Sequence, residues 1–283
     1  MNGPLVAALA VAGLVIGWVL RGVIFAYAVP SGAAPARACP HCGDQILAAG
    51  RLLRPAVSRS GPPPGPAVSR SGPPPRPGVT RSGRLPRPAV SPSGRCPACR
   101  ARIGPPPLVV ELVTAVLFAG LAARVHPALV LAAACWLAGW AVALAWIDAA
   151  VQRLPDALTA PAYAGTVVFL LLAAAVSGHW HDLLRAVLGG LALAAAYLAL
   201  VVISRSAVGL GDAKLAASLG TLTAWPGWPT LFAGAFAGFL LGAVYGAVLL
   251  VSRRAHRGQR IPFGPFMVAG AFLALLASSM AGS

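Results

Sequence analysis

Acidic residues are rare in this chain of 283: Asp44, Glu111, Asp148, Asp156, Asp182 and Asp212 are all there are. Two of them sit where a carboxylate needs a reason to be. Asp148 follows the apolar run Ala145-Trp146-Ile147, and Asp212 stands in Gly209-Leu210-Gly211-Asp212-Ala213-Lys214. A carboxylate costs about 2.5–3.5 kcal/mol at the centre of a membrane span and less near its edge, so it calls for a partner or a task. The candidate task is peptide hydrolysis. When two carboxylates share one proton, one acts as base on a bridging water while the other donates to the scissile carbonyl, with no metal or nucleophilic side chain required. Glycines at 209 and 211 let the backbone leave helical geometry and bring Asp212 close to a partner or an extended substrate. The alternative is structural, with Asp148 and Asp212 as snorkelling caps or as partners of Arg153 and Lys214. Asp156, in Leu154-Pro155-Asp156, competes for the first catalytic place, but capping the helix that follows explains it more economically. Glu111 suits a cap or a pairing with an arginine.

A second chemistry resides in cysteine. Cys39-Pro40-His41-Cys42 and Cys96-Pro97-Ala98-Cys99 are two C-x-x-C knuckles in one hydrophilic loop. Four thiolates of this kind close a tetrahedral structural zinc site. Residues 43–95, 53 in all, separate them. Lengthening a loop from about 20 residues to that size adds only about 1 kcal/mol of closure entropy, whereas zinc supplies on the order of 10–16 kcal/mol. His41 reads as a bystander within its knuckle, and Cys135 as a small core residue. Disulfides are the alternative, disfavoured on the cytoplasmic side.

The elements that position these groups are apolar helices. With 58% hydrophobic and 10% charged residues and a mean hydropathy of +0.78, the chain carries more apolar surface than a soluble core of this length buries, and reads as an all-α, polytopic membrane protein. Spans are predicted near residues 4–29, 108–124, 127–147, 158–177, 183–203, 229–251 and 262–279. A short eighth, 213–225, is closed by Trp225, Pro226 and Pro229. Eight spans place Arg153, Arg205, Lys214 and the Arg253–Arg260 cluster on the side of the 30–107 loop, the cytoplasmic side, with both termini outside. Asp148 and Asp212 then reach the same membrane face, and Asp182 the opposite one. Cleavage of a signal peptide after Ala26-Tyr27-Ala28 would upset this distribution.

The formal charge of +16 does not point to nucleic acid. Twelve of the 21 arginines lie between Arg37 and Arg102, flanking an apolar span as the positive-inside rule produces, with no aromatic residue among them to stack on bases. Residues 55–95 form a tandem array of period 11: PAVSRSGPPPG, PAVSRSGPPPR, PGVTRSGRLPR and PAVSPSGR. Its composition cannot bury a core, so it reads as a disordered or polyproline II spacer. The organisation expected is a first transmembrane helix (1–30), a cytoplasmic loop with the knuckles and the array (31–107), and a seven-helix catalytic membrane domain (108–283).

Together these residues resemble the prepilin leader peptidase family, a group of intramembrane aspartyl proteases. The resemblance is carried by the paired C-P-x-C knuckles, by Asp148 followed eight residues later by Asp156 in Leu-Pro-Asp, by the G-x-G-D-x-K stretch at 209–214, and by Ile261-Pro262-Phe263-Gly264-Pro265-Phe266. Pro107-Leu108-Val109-Val110-Glu111 echoes the family's second span. The resemblance implies Asp148 and Asp212 as the catalytic pair, supported by Gly209, Gly211, Lys214 and Asp156. It implies cleavage, at the cytoplasmic face of a bacterial or archaeal inner membrane, of type IV prepilins or pseudopilins that carry a basic leader ahead of an apolar helix. Family members commonly also methylate the new amino terminus with S-adenosylmethionine. Three departures stand out: the family's Ser-Phe-x-Asn-Val pattern is here Gly17-Trp18-Val19-Leu20-Arg21-Gly22, the knuckle loop is swollen by the array, and position 150 is Ala where many members carry an acid. Two other functions compete, a cation-coupled transporter lined by the interfacial aspartates and a non-catalytic zinc-loop scaffold for pilus assembly.

Overall fold

A computed structural model describes residues 3–30, 33–36, 39, 41–43, 94–96, 98–204, 209–252 and 262–278. The first 39 residues of the array (55–93), Asp44, Arg205, Ile261 and the Arg253–Arg260 cluster lie outside them. The described residues form eight α-helices: α1 (Gly3–Tyr27), α2 (Val109–Arg124), α3 (Ala128–Val151), α4 (Asp156–Ser177), α5 (Trp180–Ser204), α6 (Leu210–Ala224), α7 (Trp228–Val251) and α8 (Gly264–Ala277). Each coincides with one of the eight apolar runs. By length and composition α1, α3, α4, α5 and α7 suffice to cross a membrane, and α8 is a shorter apolar helix.

The bundle is organised around α3, buried along most of its length from Val130 to Asp148 and touching α1, α2, α4, α6 and α8. Around it the helices pair as neighbours in sequence: α1 with α2, α3 with α4, α5 with α6, and α7 with α8. The short connections 152–155 and 205–209 force antiparallel packing of α3 on α4 and of α5 on α6. The outer faces stay apolar, as a bilayer requires: α7 buries little beyond Leu231, Gly234 and Gly238 and exposes Phe232, Phe236, Leu240, Val244 and Val248.

The α1–α2 pair shows how small residues let membrane helices meet without a hydrophobic driving force. A Cβ on Gly17 would fall 2.5 Å from Glu111 Cα, and one on Gly13 2.6 Å from Ala115 Cα. At this close approach Arg21 Nη1 reaches Glu111 Oε1 at 2.9 Å, with both side chains almost fully buried. Glu111 thus takes the arginine pairing. Arg21 of the departing segment is committed to holding α1 on α2.

Candidate active site and metal centre

One end of the bundle gathers the C-terminus of α3 and the N-termini of α4, α6 and α8. Asp148 lies one turn before the end of α3 and Asp212 in the first turn of α6. They are 5% and 7% exposed, and their carboxylates are close enough to interact electrostatically. Each is aimed by the backbone. Gly264 N–H, at the start of α8, donates to Asp148 Oδ2 at 2.9 Å. Gly209 N–H donates to Asp212 Oδ2 at 3.0 Å, while Asp212 N–H returns a bond to Gly209 O. Both carboxylates therefore rest on the positive end of a helix dipole, leaving Oδ1 of each for a shared proton or a bridging water.

The two basic residues that the sequence offers as partners of the pair are engaged elsewhere. Lys214 Nζ pairs with Asp156 Oδ1 at 2.6 Å on the exposed rim, and Arg153 donates to Pro30 O at 2.8 Å. The ion-pair alternative for Asp148 and Asp212 is thereby set aside, and Asp156, the first residue of α4, faces solvent instead of the pair. The two glycines of the G-x-G-D stretch divide their work. Gly209 has an ordinary extended conformation (φ −91°, ψ 155°) and contributes its N–H. Gly211 is required by packing, since a Cβ there would meet Leu154 Cβ at 2.8 Å. Sequence reasoning attached no role to Gly264. The signal was present in Pro262-Phe263-Gly264-Pro265, where a proline at the second helical position marks a helix start with unpaired N–H groups.

A cleft of about 400 Å³, which neither Asp148 nor Asp212 lines, is bounded by Tyr27, Val29, Arg153, Leu154, Pro155 and Asp156. It lies between the end of α1 and the α3–α4 turn. Two carboxylates aimed by backbone N–H groups at one end of the bundle offer a proton acceptor and, once one is protonated, a donor for acid–base work on water.

The knuckles meet beyond the end of α1. Cys39, Cys42, Cys96 and Cys99 present sulfurs that all lie within 4.8 Å of one another. Cys39 Sγ is 3.7 Å from Cys99 Sγ, and Cys42 Sγ 3.6 Å from Cys96 Sγ. Four sulfurs at about 2.3 Å from one zinc stand about 3.8 Å apart on a tetrahedron, so the cluster can bind a metal. The two knuckles turn alike: Gly43 N–H donates to Cys39 O and Arg100 N–H to Cys96 O, and the residue after each second cysteine is left-handed, Gly43 at φ 71° and Arg100 at φ 59°. Burial opposes ionisation of Cys39, but the N–H groups of His41 and Cys42 and the neighbouring thiols outweigh it, drawing its pKa down to about 7. Phe25 packs on Cys39 and Cys96 and joins the knuckles to α1.

Comparison with known proteins gives the same picture. Residues 135–249 match the model of the type IV leader peptidase family. The chain is similar to proteins named prepilin leader peptidase/N-methyltransferase. That of Aeromonas salmonicida is 36% identical over 183 residues, 63% of this chain and 60% of the relative. That of Pseudomonas aeruginosa is 35% identical over 188 residues, 63% and 61%. That of Dichelobacter nodosus is 31% identical over 253 residues, 88% and 73%. The chain thus spans about three fifths of the length of the first two relatives and nearly three quarters of the third. No solved structure matches. With a relative above 30% identity matched over most of both chains, and with the family's own region carrying both aspartates, this chain belongs to the type IV leader peptidase family.

Proposed function

We propose that the chain is an aspartic endopeptidase that removes the leader peptide of type IV prepilins or pseudopilins, with Asp148 and Asp212 as its catalytic pair. The observation that carries this reading is the pair itself: two buried carboxylates, each held through Oδ2 by an N–H from a helix start, with Arg153 and Lys214 both engaged elsewhere. One aspartate takes a proton from water as the water oxygen bonds to the scissile carbonyl carbon. The other gives its proton to the carbonyl oxygen. The tetrahedral product then collapses, the C–N bond breaks, and the leaving nitrogen takes back the proton.

The active site faces the cytoplasm of an inner membrane in this reading, since the positive-inside distribution puts Arg153, Lys214 and the knuckles on that side. The apolar helix of the substrate stays in the lipid bilayer, and its basic leader lies along the cleft beside Asp156. Residues 108–283 act as the catalytic membrane domain, with Gly209 and Gly211 supporting the pair and Lys214 and Asp156 bound to each other at its rim. A structural zinc on the four cysteines organises the 31–107 loop. The relatives' name also carries an N-methyltransferase, which would require S-adenosylmethionine. Because Gly17 and Arg21 of the departing segment are taken up by contact with α2, we confine the proposed activity to the peptidase step.

The test is a candidate prepilin co-expressed with wild type, Asp148→Asn or Asp212→Asn and read as a mass shift of the pilin. Loss of cleavage in both variants at unchanged membrane level is expected. Cleavage that survives either change removes the pair from the chemistry and returns the scaffold and the cation transporter.

A further inference from the structure

The aspartate pair has a third polar neighbour that the peptidase reading leaves unused. Tyr197 is 2% exposed within α5, and a phenol at that depth in an apolar bundle needs a polar group to face. The α5–α6 packing sets its height. A Cβ on Gly190 would stand 2.8 Å from Ala217 O, with Thr221 also in contact, and one on Gly220 would stand 3.0 Å from both Gly189 O and Leu193 Cβ. The helices are antiparallel, so two turns beyond Gly190, about 10 Å along the axis, α5 is level with residues 210–214 of α6. That turn carries Asp212, and Tyr197, seven residues from Gly190, lies on the same face of α5 that packs against α6.

The ring of Tyr197 points the same way. It stacks on Phe239 of α7, centroids 5.6 Å apart and planes at 18°, and leans on Phe263 at 6.0 Å. Phe263 precedes Gly264, whose N–H aims Asp148. The ring thus buttresses the neighbour of the residue that positions one acid, at the level of the turn that carries the other.

We infer that Tyr197 is a positioning residue of the pair, whose hydroxyl donates a hydrogen bond to the Asp212 carboxylate and makes Asp212 the ionised partner that takes the proton from water, while Asp148 holds the shared proton. Among the described residues, the polar groups that bear on Asp212 from neighbouring elements are Asp148 at the end of α3, Tyr197 of α5 and, at the rim, Lys214, already paired with Asp156 of α4. The inference rests on Asp148 and Asp212 being the hydrolytic pair.

The test uses the full chain, purified in detergent, cleaving the prepilin identified by co-expression. Tyr197→Phe keeps the ring and removes the donor. A kcat about tenfold lower, KM within twofold, and an acidic limb of the kcat profile displaced upward by about one pH unit are expected. Replacing Tyr197 alone by 3-fluorotyrosine, a stronger donor of the same shape, is expected to displace that limb downward. Wild-type kcat and limb in Tyr197→Phe overturn the inference, and so does a lower kcat with neither substitution moving the limb, because that is a packing effect. Should Tyr197→Phe fail to accumulate, the fluorotyrosine enzyme decides alone. Asp148→Asn and Asp212→Asn are run alongside. If either cleaves, the peptidase reading falls; if both are inert while the Tyr197 enzymes match wild type, only the role of Tyr197 falls.

Discussion

At the scale of single residues, the site is held by backbone groups more than by side chains. Gly264 shows this best: a Cβ there would stand 2.8 Å from Asp148 Oδ2, inside the hydrogen bond the residue's own N–H makes. Gly264→Ala must push the carboxylate aside, and displacement of a catalytic group by about 1 Å costs on the order of 100-fold. We expect prepilin cleavage in Gly264→Ala to fall by about that factor at unchanged membrane level, measured by the pilin mass shift. The rim behaves differently. The Asp156 and Lys214 side chains are 73% and 52% exposed, and pairs so wet contribute at most about 1 kcal/mol. Asp156→Asn is therefore expected to keep cleavage within about threefold of wild type, and its thermal midpoint in detergent should barely move. A loss comparable to Asp148→Asn would instead place Asp156 in the chemistry.

At the scale of elements, the short helix α6 explains much of the design. Fifteen residues rise about 22 Å, less than the about 30 Å of hydrocarbon, so at least one end must lie within the apolar layer. Both ends are closed by charged side chains. Asp212 caps the first turn, and Arg185 of α5, itself paired with Asp182 at 2.9 Å, donates Nε to Ala224 O at 2.8 Å and Nη2 to Trp225 O. Arg185→Ala strands these carbonyls and is expected to cost about 1–3 kcal/mol, read as a lower thermal midpoint in detergent, with Arg185→Lys falling between. The spans were legible in the sequence because apolar runs, and breakers such as Trp225-Pro226 and Pro229, are local features. Asp148 and Asp212 were legible because acids are so scarce. What could not be read were pairings across the chain: Gly264 with Asp148 over 116 positions, Arg21 with Glu111 over 90, Arg185 with α6 over about 40. Each depends on which helices become neighbours, and hydropathy does not order helices around a bundle. Arg21→Ala measures that hidden pairing. It leaves Glu111 buried without its cation and is expected to cost about 3–5 kcal/mol, depleting the chain from the membrane.

At the scale of the whole molecule, the knuckles and the membrane bundle are joined through α1, which packs Phe25 against Cys39 and Cys96 at one end and Arg21 against Glu111 within the bundle. The length of chain between the knuckles is almost irrelevant to this union. Closure entropy grows only with the logarithm of loop length, and removing three copies of the repeat, residues 55–87, leaves 20 residues between Cys42 and Cys96. The shortened loop is favoured by about 1 kcal/mol, small beside the on the order of 10–16 kcal/mol that four thiolates draw from zinc. A chain lacking residues 55–87 is therefore expected to purify with one zinc per molecule, by elemental analysis, and to cleave prepilin at the wild-type rate. Cys96→Ser in the same background should lose the metal, because the remaining three thiolates no longer close the tetrahedron. If the deletion alone abolishes cleavage while zinc is retained, the array contacts substrate or membrane. If it abolishes zinc binding, the repeat is part of the fold that brings the two knuckles together.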